Sequence, residues 1–200
     1  VDVSASVGSS NYPKEVNAIR EMAKVYLENG IDARFTVISF SDTANLITDS
    51  LTPEELLKAL PENDGSKLLP GVGTSYAPPL EIFKDMVSQS FNDPDTRFMN
   101  KDLYFLTDGA PGDASTYLPM WQEYLDANRE WLDVYALGID VGDGAAVLQH
   151  LLHICENDPS HVTFAEDFDA IADLLRDRVQ SEMGNLLGGP SSADGAKVVY

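Results

Sequence analysis

Leu103-Tyr104-Phe105-Leu106 runs straight into Thr107-Asp108-Gly109. A short unbroken apolar run is the mark of a strand buried on both faces, and the acid and glycine that close it predict a polar turn at its carboxyl end. Working outward, strand-like runs alternate with helical periods. Upstream, Arg34–Phe40 (RFTVISF) reads as a strand, with a short strand near Ala44–Ile47 after the Ser41-Asp42 turn. Before it, Asn11 is a candidate cap and Pro13 sits in the first turn of a helix reaching about Asn29. Val16, Ile19, Ala23, Tyr26 and Leu27 form its inner face, and Gly30 ends it. Thr52-Pro53-Glu54-Glu55 opens a short helix through Leu60. Pro61–Pro79 is irregular, and a helix follows with Leu80, Phe83, Met86 and Val87 inward. Downstream come a helix over about Thr116–Trp131, a strand at Leu132–Leu137, a helix at Ala145–Ile154, a short strand at Val162–Phe164 and an acidic amphipathic helix over about Phe168–Met183.

This alternation predicts an α/β fold: a doubly wound, mostly parallel central sheet with helices on both faces. The expected domain is 1–183. Val1–Val3 reads as the tail of a first strand truncated at its start. Residues 184–200 read as a Gly/Pro/Ser linker, with Lys197–Tyr200 (KVVY) beginning a following element.

Composition narrows the function. In 200 residues, 33 acids against 13 bases give a formal net charge of -20, which repels nucleic acid and anionic lipid and attracts divalent cations. No apolar run approaches the roughly 18 residues that span a bilayer, so membrane insertion is not expected. The lone Cys155 excludes a disulfide framework.

In sheets of this kind ligands bind beyond the carboxyl ends of the strands, where strand order reverses. The loops predicted there carry Asp2-Val3-Ser4-Ala5-Ser6, Gly73-Thr74-Ser75-Tyr76 and Thr107-Asp108-Gly109. The side chains Asp2, Ser4, Ser6, Thr74 and Asp108 offer oxygen only, a donor set suited to hard cations such as Mg²⁺, Ca²⁺ and Mn²⁺. The alternate spacing Asp-x-Ser-x-Ser lets one extended segment aim several oxygens at one point. Catalytic motifs are wanting. Ser4 stands where an Asp-nucleophile phosphatase has its second carboxylate, and there is no Gly-x-Ser-x-Gly elbow or phosphate-binding Gly-rich loop.

Taken together, Asp2-x-Ser4-x-Ser6, Thr74 within Gly-Thr-Ser-Tyr and Asp108 within Leu-Thr-Asp-Gly resemble the metal-ion-dependent adhesion site (MIDAS) of von Willebrand factor type A domains. The resemblance spans about Val1 to Met183; Ala5 stands where the family commonly has Gly. It implies one divalent cation, Ca²⁺ or Mg²⁺. Ser4 and Ser6 would be direct ligands, Thr74 a ligand in the ligand-ready state, and Asp2 and Asp108 would act mainly through water. It also implies a partner protein or other ligand that presents a carboxylate, and no enzyme activity. Ser75 and Tyr76 are candidate rim residues, with simple packing the alternative for Tyr76. In some relatives the last helix shifts on ligand binding. The acidic balance, the absence of disulfides and the Gly188-Gly189…Asp194-Gly195 junction are similar to the approach to calcium-binding repeats in large bacterial RTX adhesins, which implies an extracellular, cell-surface setting. The alternatives are an intracellular domain assisting an AAA+ ATPase and a metal-dependent hydrolase.

Other polar groups have plainer readings. His150 and His153 form a helix-surface pair beside a buried structural Cys155, with no zinc spacing. Asp140-Val141-Gly142-Asp143-Gly144 is a turn lacking the later Glu of a calcium loop. The acids of the last helix form a solvated face, and Trp121, Tyr124 and Trp131 are packing residues.

Overall fold

The computed structural model describes residues 1–141, 144–188 and 197–200, with 182–188 and 197–198 described by backbone alone. In chain order the elements are α1 (Tyr12–Glu28), β1 (Ala33–Phe40), β2 (Ala44–Leu51), α2 (Pro53–Ala59), α3 (Ala77–Ser90), β3 (Asn100–Thr107), α4 (Ala114–Asn128), β4 (Leu132–Ile139), α5 (Ala145–Ile154), β5 (Val162–Ala165), α6 (Ile171–Gly188) and β6 (Lys197–Val199). The sheet order is β2-β1-β6-β3-β4-β5. Only β2 is antiparallel to its neighbour. The doubly wound, mostly parallel architecture read from the sequence is the one observed.

Strand alternation sorts the core into two layers. Phe35, Val37, Tyr104, Leu106, Tyr135 and Leu137 face α1, α2 and α6, against Val16, Ile19, Leu56, Leu175 and Val179. The intervening Ile38, Phe40, Leu103, Phe105, Val134 and Ala136 face α3, α4 and α5, where Phe83, Trp121 and Leu151 are buried. Trp121 also donates its indole N–H to the Ile154 carbonyl at 2.9 Å, which ties α4 to α5. Truncating a buried Trp of this kind costs about 3–5 kcal/mol.

Local chemistry explains the helix starts. Thr52 and Glu55 form a reciprocal capping box on α2. Asn11, expected to cap α1, does not: its side chain donates instead to the Val7 carbonyl at 2.8 Å. The helix expected after Pro79 begins earlier, at Ala77, because Pro78 and Pro79 fit its first turn, where no N–H is needed.

The chain's two ends differ from expectation. The last helix runs through Gly188, beyond the expected boundary at 183, and the expected linker from 189 to 196 lies outside the described residues. Lys197–Val199, expected to begin a following element, forms β6. It pairs in parallel with both β1 and β3 in the middle of this sheet. Val1–Val3 continues the same line: Asp2 bridges Phe40, and its N–H donates to the Leu106 carbonyl at 3.0 Å. Val199 pairs with Phe35 and Asp2 with Phe40, so the register leaves two strand positions between Tyr200 and Val1, opposite Val37 and Ile38. Apolar side chains including Phe105 and Leu106 border the cavity there.

Candidate metal site

The C-terminal ends of β1 and β3 flank Val1–Val3, and the chain turns away from the sheet just beyond. Asp2 is fully buried. One of its carboxylate oxygens accepts the Ser4 N–H at 2.9 Å, which bends the chain so that Ser4 and Ser6 follow on one side. The other accepts the hydroxyl of Thr107 at 2.6 Å. Both oxygens of Asp2 are thus fixed before any ligand arrives.

A line of side-chain oxygens runs outward from there. The hydroxyls of Ser4 and Ser6 lie 3.0 Å apart, and Ser6 donates to Asp108 at 2.9 Å. Ser4 is buried while Ser6 is exposed, so the line leads from the interior to solvent. The Asp108 carboxyl is pushed up to about 6, first by burial and then by the negative charge of Asp2, against the pull of the Ser6 bond. Like charges held close disfavour the doubly ionised state, and a cation between them reverses that preference.

Thr74 comes to the same edge on the loop that precedes α3. Its carbonyl accepts the Gly112 N–H at 2.8 Å. Its hydroxyl lies beside Gly109, 3.7 Å from where a β-carbon on that glycine would be, and outside the bonded line of Asp2, Ser4, Ser6 and Asp108. The structure therefore gathers all five predicted oxygen donors at one edge; the side chains of Ser4, Ser6 and Asp108 are hydrogen-bonded in succession, and Asp2 joins them through the Ser4 backbone N–H.

The loop carrying Thr74 is clamped. Gly71 donates to the Val3 carbonyl at 3.1 Å, and Ser75 donates to the Ser41 carbonyl at 2.7 Å. A β-carbon at Gly71 would fall 1.8 Å from the Ser41 hydroxyl, so no other residue fits without movement. Asp42 accepts the Val72 N–H at 3.2 Å and the Ser41 hydroxyl at 3.0 Å. These bonds hold its carboxyl below the ordinary range.

Tyr76 corrects the rim expectation. It is fully buried among Phe40, Phe105 and Tyr117. Its phenol donates to the Gly109 carbonyl at 2.7 Å, so it steadies the turn that carries Asp108 and does not touch the outside. Ser75 is half-buried and tied by its backbone to Ser41.

Three supporting residues escaped the sequence reading: Thr107, Asp42 and Asp113. Thr107 sat inside the Leu-Thr-Asp-Gly motif, where its hydroxyl was the available signal. Asp113 accepts the N–H groups of Tyr76 and Ala77 at 2.9 and 2.8 Å and so caps α3 from another loop. No local pattern announces such a long-range cap. The remaining polar groups behave as packing. His150 meets the Tyr117 hydroxyl at 2.7 Å, and Cys155 is buried with its thiol pushed up to about 12 by desolvation. Among the described residues no group of three or more His, Cys, Asp and Glu side chains could hold a metal ion.

The von Willebrand factor type A domain family model matches residues 1–177. The chain belongs to that family. No curated protein matches it. Among solved structures, this von Willebrand factor A domain is similar to proximal thread matrix protein 1 from the mussel byssus with a zinc-occupied MIDAS motif. That match has 21% identity and a TM-score of 0.69, and covers 89% of this chain and 45% of the mussel chain. It is also similar to the vWF domain of the type V pili tip protein Mfa5 from Porphyromonas gingivalis, at 12% identity and TM-score 0.66, over 96% and 95% of the two chains. Another crystal form of the mussel protein matches at 18% identity and TM-score 0.63, over 90% of this chain and 43% of that one. The chain thus spans under half the length of the mussel protein.

Proposed function

We propose that this von Willebrand factor A domain is a binding module that holds one divalent cation, Ca²⁺ or Mg²⁺, and through it grips a carboxylate on a partner. The residues that would hold the ion are Asp2, Ser4, Ser6, Thr74 and Asp108. The observation that carries the reading is the hydrogen-bonded succession Asp2–Ser4–Ser6–Asp108 at the head of the central strand. Its donors fit a hard cation in kind: neutral hydroxyls and carboxylate oxygens, with no nitrogen or sulfur. A bound dication supplies an incompletely neutralised positive charge to which an external carboxylate oxygen is attracted. Asp2 is locked by Ser4 and Thr107 and cannot swing out as a nucleophile, which favours binding over hydrolysis.

An adhesive role at a bacterial cell surface accords with the likeness to a pilus tip domain and with the net charge of -20. Among the described residues no helix is long and apolar enough to cross a membrane. Calorimetric titration of the metal-stripped chain with Ca²⁺, Mg²⁺ and Zn²⁺ tests the site. One ion bound per chain, weakened at least tenfold by Asp108→Ala and by Ser4→Ala, is the expected result. Parental affinity in both variants overturns the assignment.

A further inference from the structure

The loop that brings Thr74 to the site also presents a side chain outward. Val72 is 81% exposed, and Leu69 on the same loop is 50% exposed. One exposed aliphatic needs no explanation, but Val72 is held in place. Its N–H goes to Asp42, its carbonyl accepts the Ala5 N–H at 3.4 Å, and the preceding Gly71 is pinned to Val3. Val3 and Ala5 are the residues between the oxygen donors Asp2, Ser4 and Ser6. The valine is therefore fixed against the segment that carries the site, with its side chain in solvent.

The charged residues at this edge of the sheet are mostly acidic. Just past the C-terminal ends of β1, β3, β4 and β5, the exposed or half-exposed charged residues include Asp42, Asp108, Asp140, Glu166 and Asp167. Lys14, the nearby base on α1, is paired with Asp169 at 2.8 Å. Lys67 on the loop before Val72 lies near Asp64. A partner rich in acids is repelled by this edge, whereas a single carboxylate in a neutral or basic setting is not.

We infer that the partner segment presents one Asp or Glu with a large aliphatic or aromatic neighbour that packs on Val72, and bases rather than further acids beside it. The inference rests on the carboxylate-gripping reading above. A fixed apolar contact beside a charged anchor adds affinity without an ordering cost on the protein's side.

The test is an NMR titration of the ¹⁵N,¹³C-methyl-labelled, Mg²⁺-saturated chain with blocked pentapeptides: Gly-Gly-Glu-Gly-Gly, Gly-Leu-Glu-Gly-Gly, Gly-Leu-Gln-Gly-Gly, Gly-Leu-Glu-Lys-Lys and Gly-Leu-Glu-Glu-Glu. The expected result is binding of the leucine–glutamate peptide at least threefold tighter than that of its glycine counterpart, with Val72 methyl shifts. The lysine peptide is tighter still, the triple-acid peptide is weaker, and the glutamine peptide does not bind. The leucine-to-glycine affinity ratio falls to about one in Val72→Ser and persists in Val72→Leu. Equal binding of the leucine and glycine peptides overturns this inference and leaves the carboxylate reading standing. Absence of binding by every glutamate peptide to chain shown to hold Mg²⁺ overturns both.

Discussion

The Thr107 hydroxyl donates to the Asp2 carboxylate across 2.6 Å, and both side chains are fully buried. The two residues lie 105 positions apart in the chain, so the bond joins the end of β3 to the head of the central strand. A buried carboxylate needs its donors. Thr107→Val keeps the shape and removes the donor, and hydrogen bonds to charged groups contribute about 1.5–3 kcal/mol. The expected outcome is a loss of that size in denaturant unfolding together with weaker divalent-cation binding by calorimetry. Thr107→Ser should restore much of both.

The sterics at Gly71 give a second expectation. A β-carbon there meets the Ser41 hydroxyl at 1.8 Å and its β-carbon at 2.5 Å. Overpacking of this kind costs about 1–3 kcal/mol. Gly71→Ala should destabilise the chain within that range and displace the Thr74 loop. The double variant Gly71→Ala with Ser41→Gly removes the two nearest colliding atoms, leaves the Asp42 carboxylate oxygen at 2.7 Å, and should recover part of the loss. A double-mutant cycle by chemical denaturation measures the coupling, and additive losses would contradict the geometry.

Acidity supplies a third. The Asp108 carboxyl, normally near 3.8, is raised to about 6 in the metal-free chain. Cation binding competes with its proton, so affinity should rise roughly tenfold from about pH 5 to about pH 7 and then level off. The stability of the metal-free chain runs the other way. A raised folded-state value means a contribution fully present below about 3.8 and lost as pH rises through about 6. Comparing the parent with Asp108→Asn across this range isolates the effect, since the variant should lack both slopes.

Asp113 gives a fourth. Its carboxylate caps α3 by accepting two backbone N–H groups from another loop. Removing a cap costs about 0.5–2 kcal/mol. Asp113→Ala should fall near the upper end, with faster hydrogen exchange at the amides of Tyr76 and Ala77. Exchange unchanged from the parent would show that the cap does not hold the helix start.

Much of this was legible in the chain. Leu103–Leu106 announced a strand buried on both faces, and all of it is buried. Asp2, Ser4, Ser6, Thr74 and Asp108 announced themselves because hydroxyl and carboxylate residues were spaced on predicted loops at one edge of a predicted sheet. Elsewhere local pattern misled. Tyr76 follows the loop directly, but burial is set by Phe40, Phe105 and Tyr117, which arrive from distant segments. The pairing of Lys197–Val199 with β1 and β3 was not legible either, since a short apolar run carries no sign of which sheet accepts it. The clamps at Asp42 and Asp113 bridge loops far apart in sequence, where periodicity has no reach.

The position of β6 sets an order of assembly. Lys197 pairs with Ala33 and Asn100, partners 164 and 97 residues earlier, so the middle of the sheet closes only when segments far apart in the chain meet. Until β6 docks, β1 and β3 face each other with open backbone edges, the kind of surface on which partly folded chains misassociate. Contacts this distant along the chain also slow folding. The oxygen donors beside Val3 thus stand over a floor that a distant segment of the chain completes.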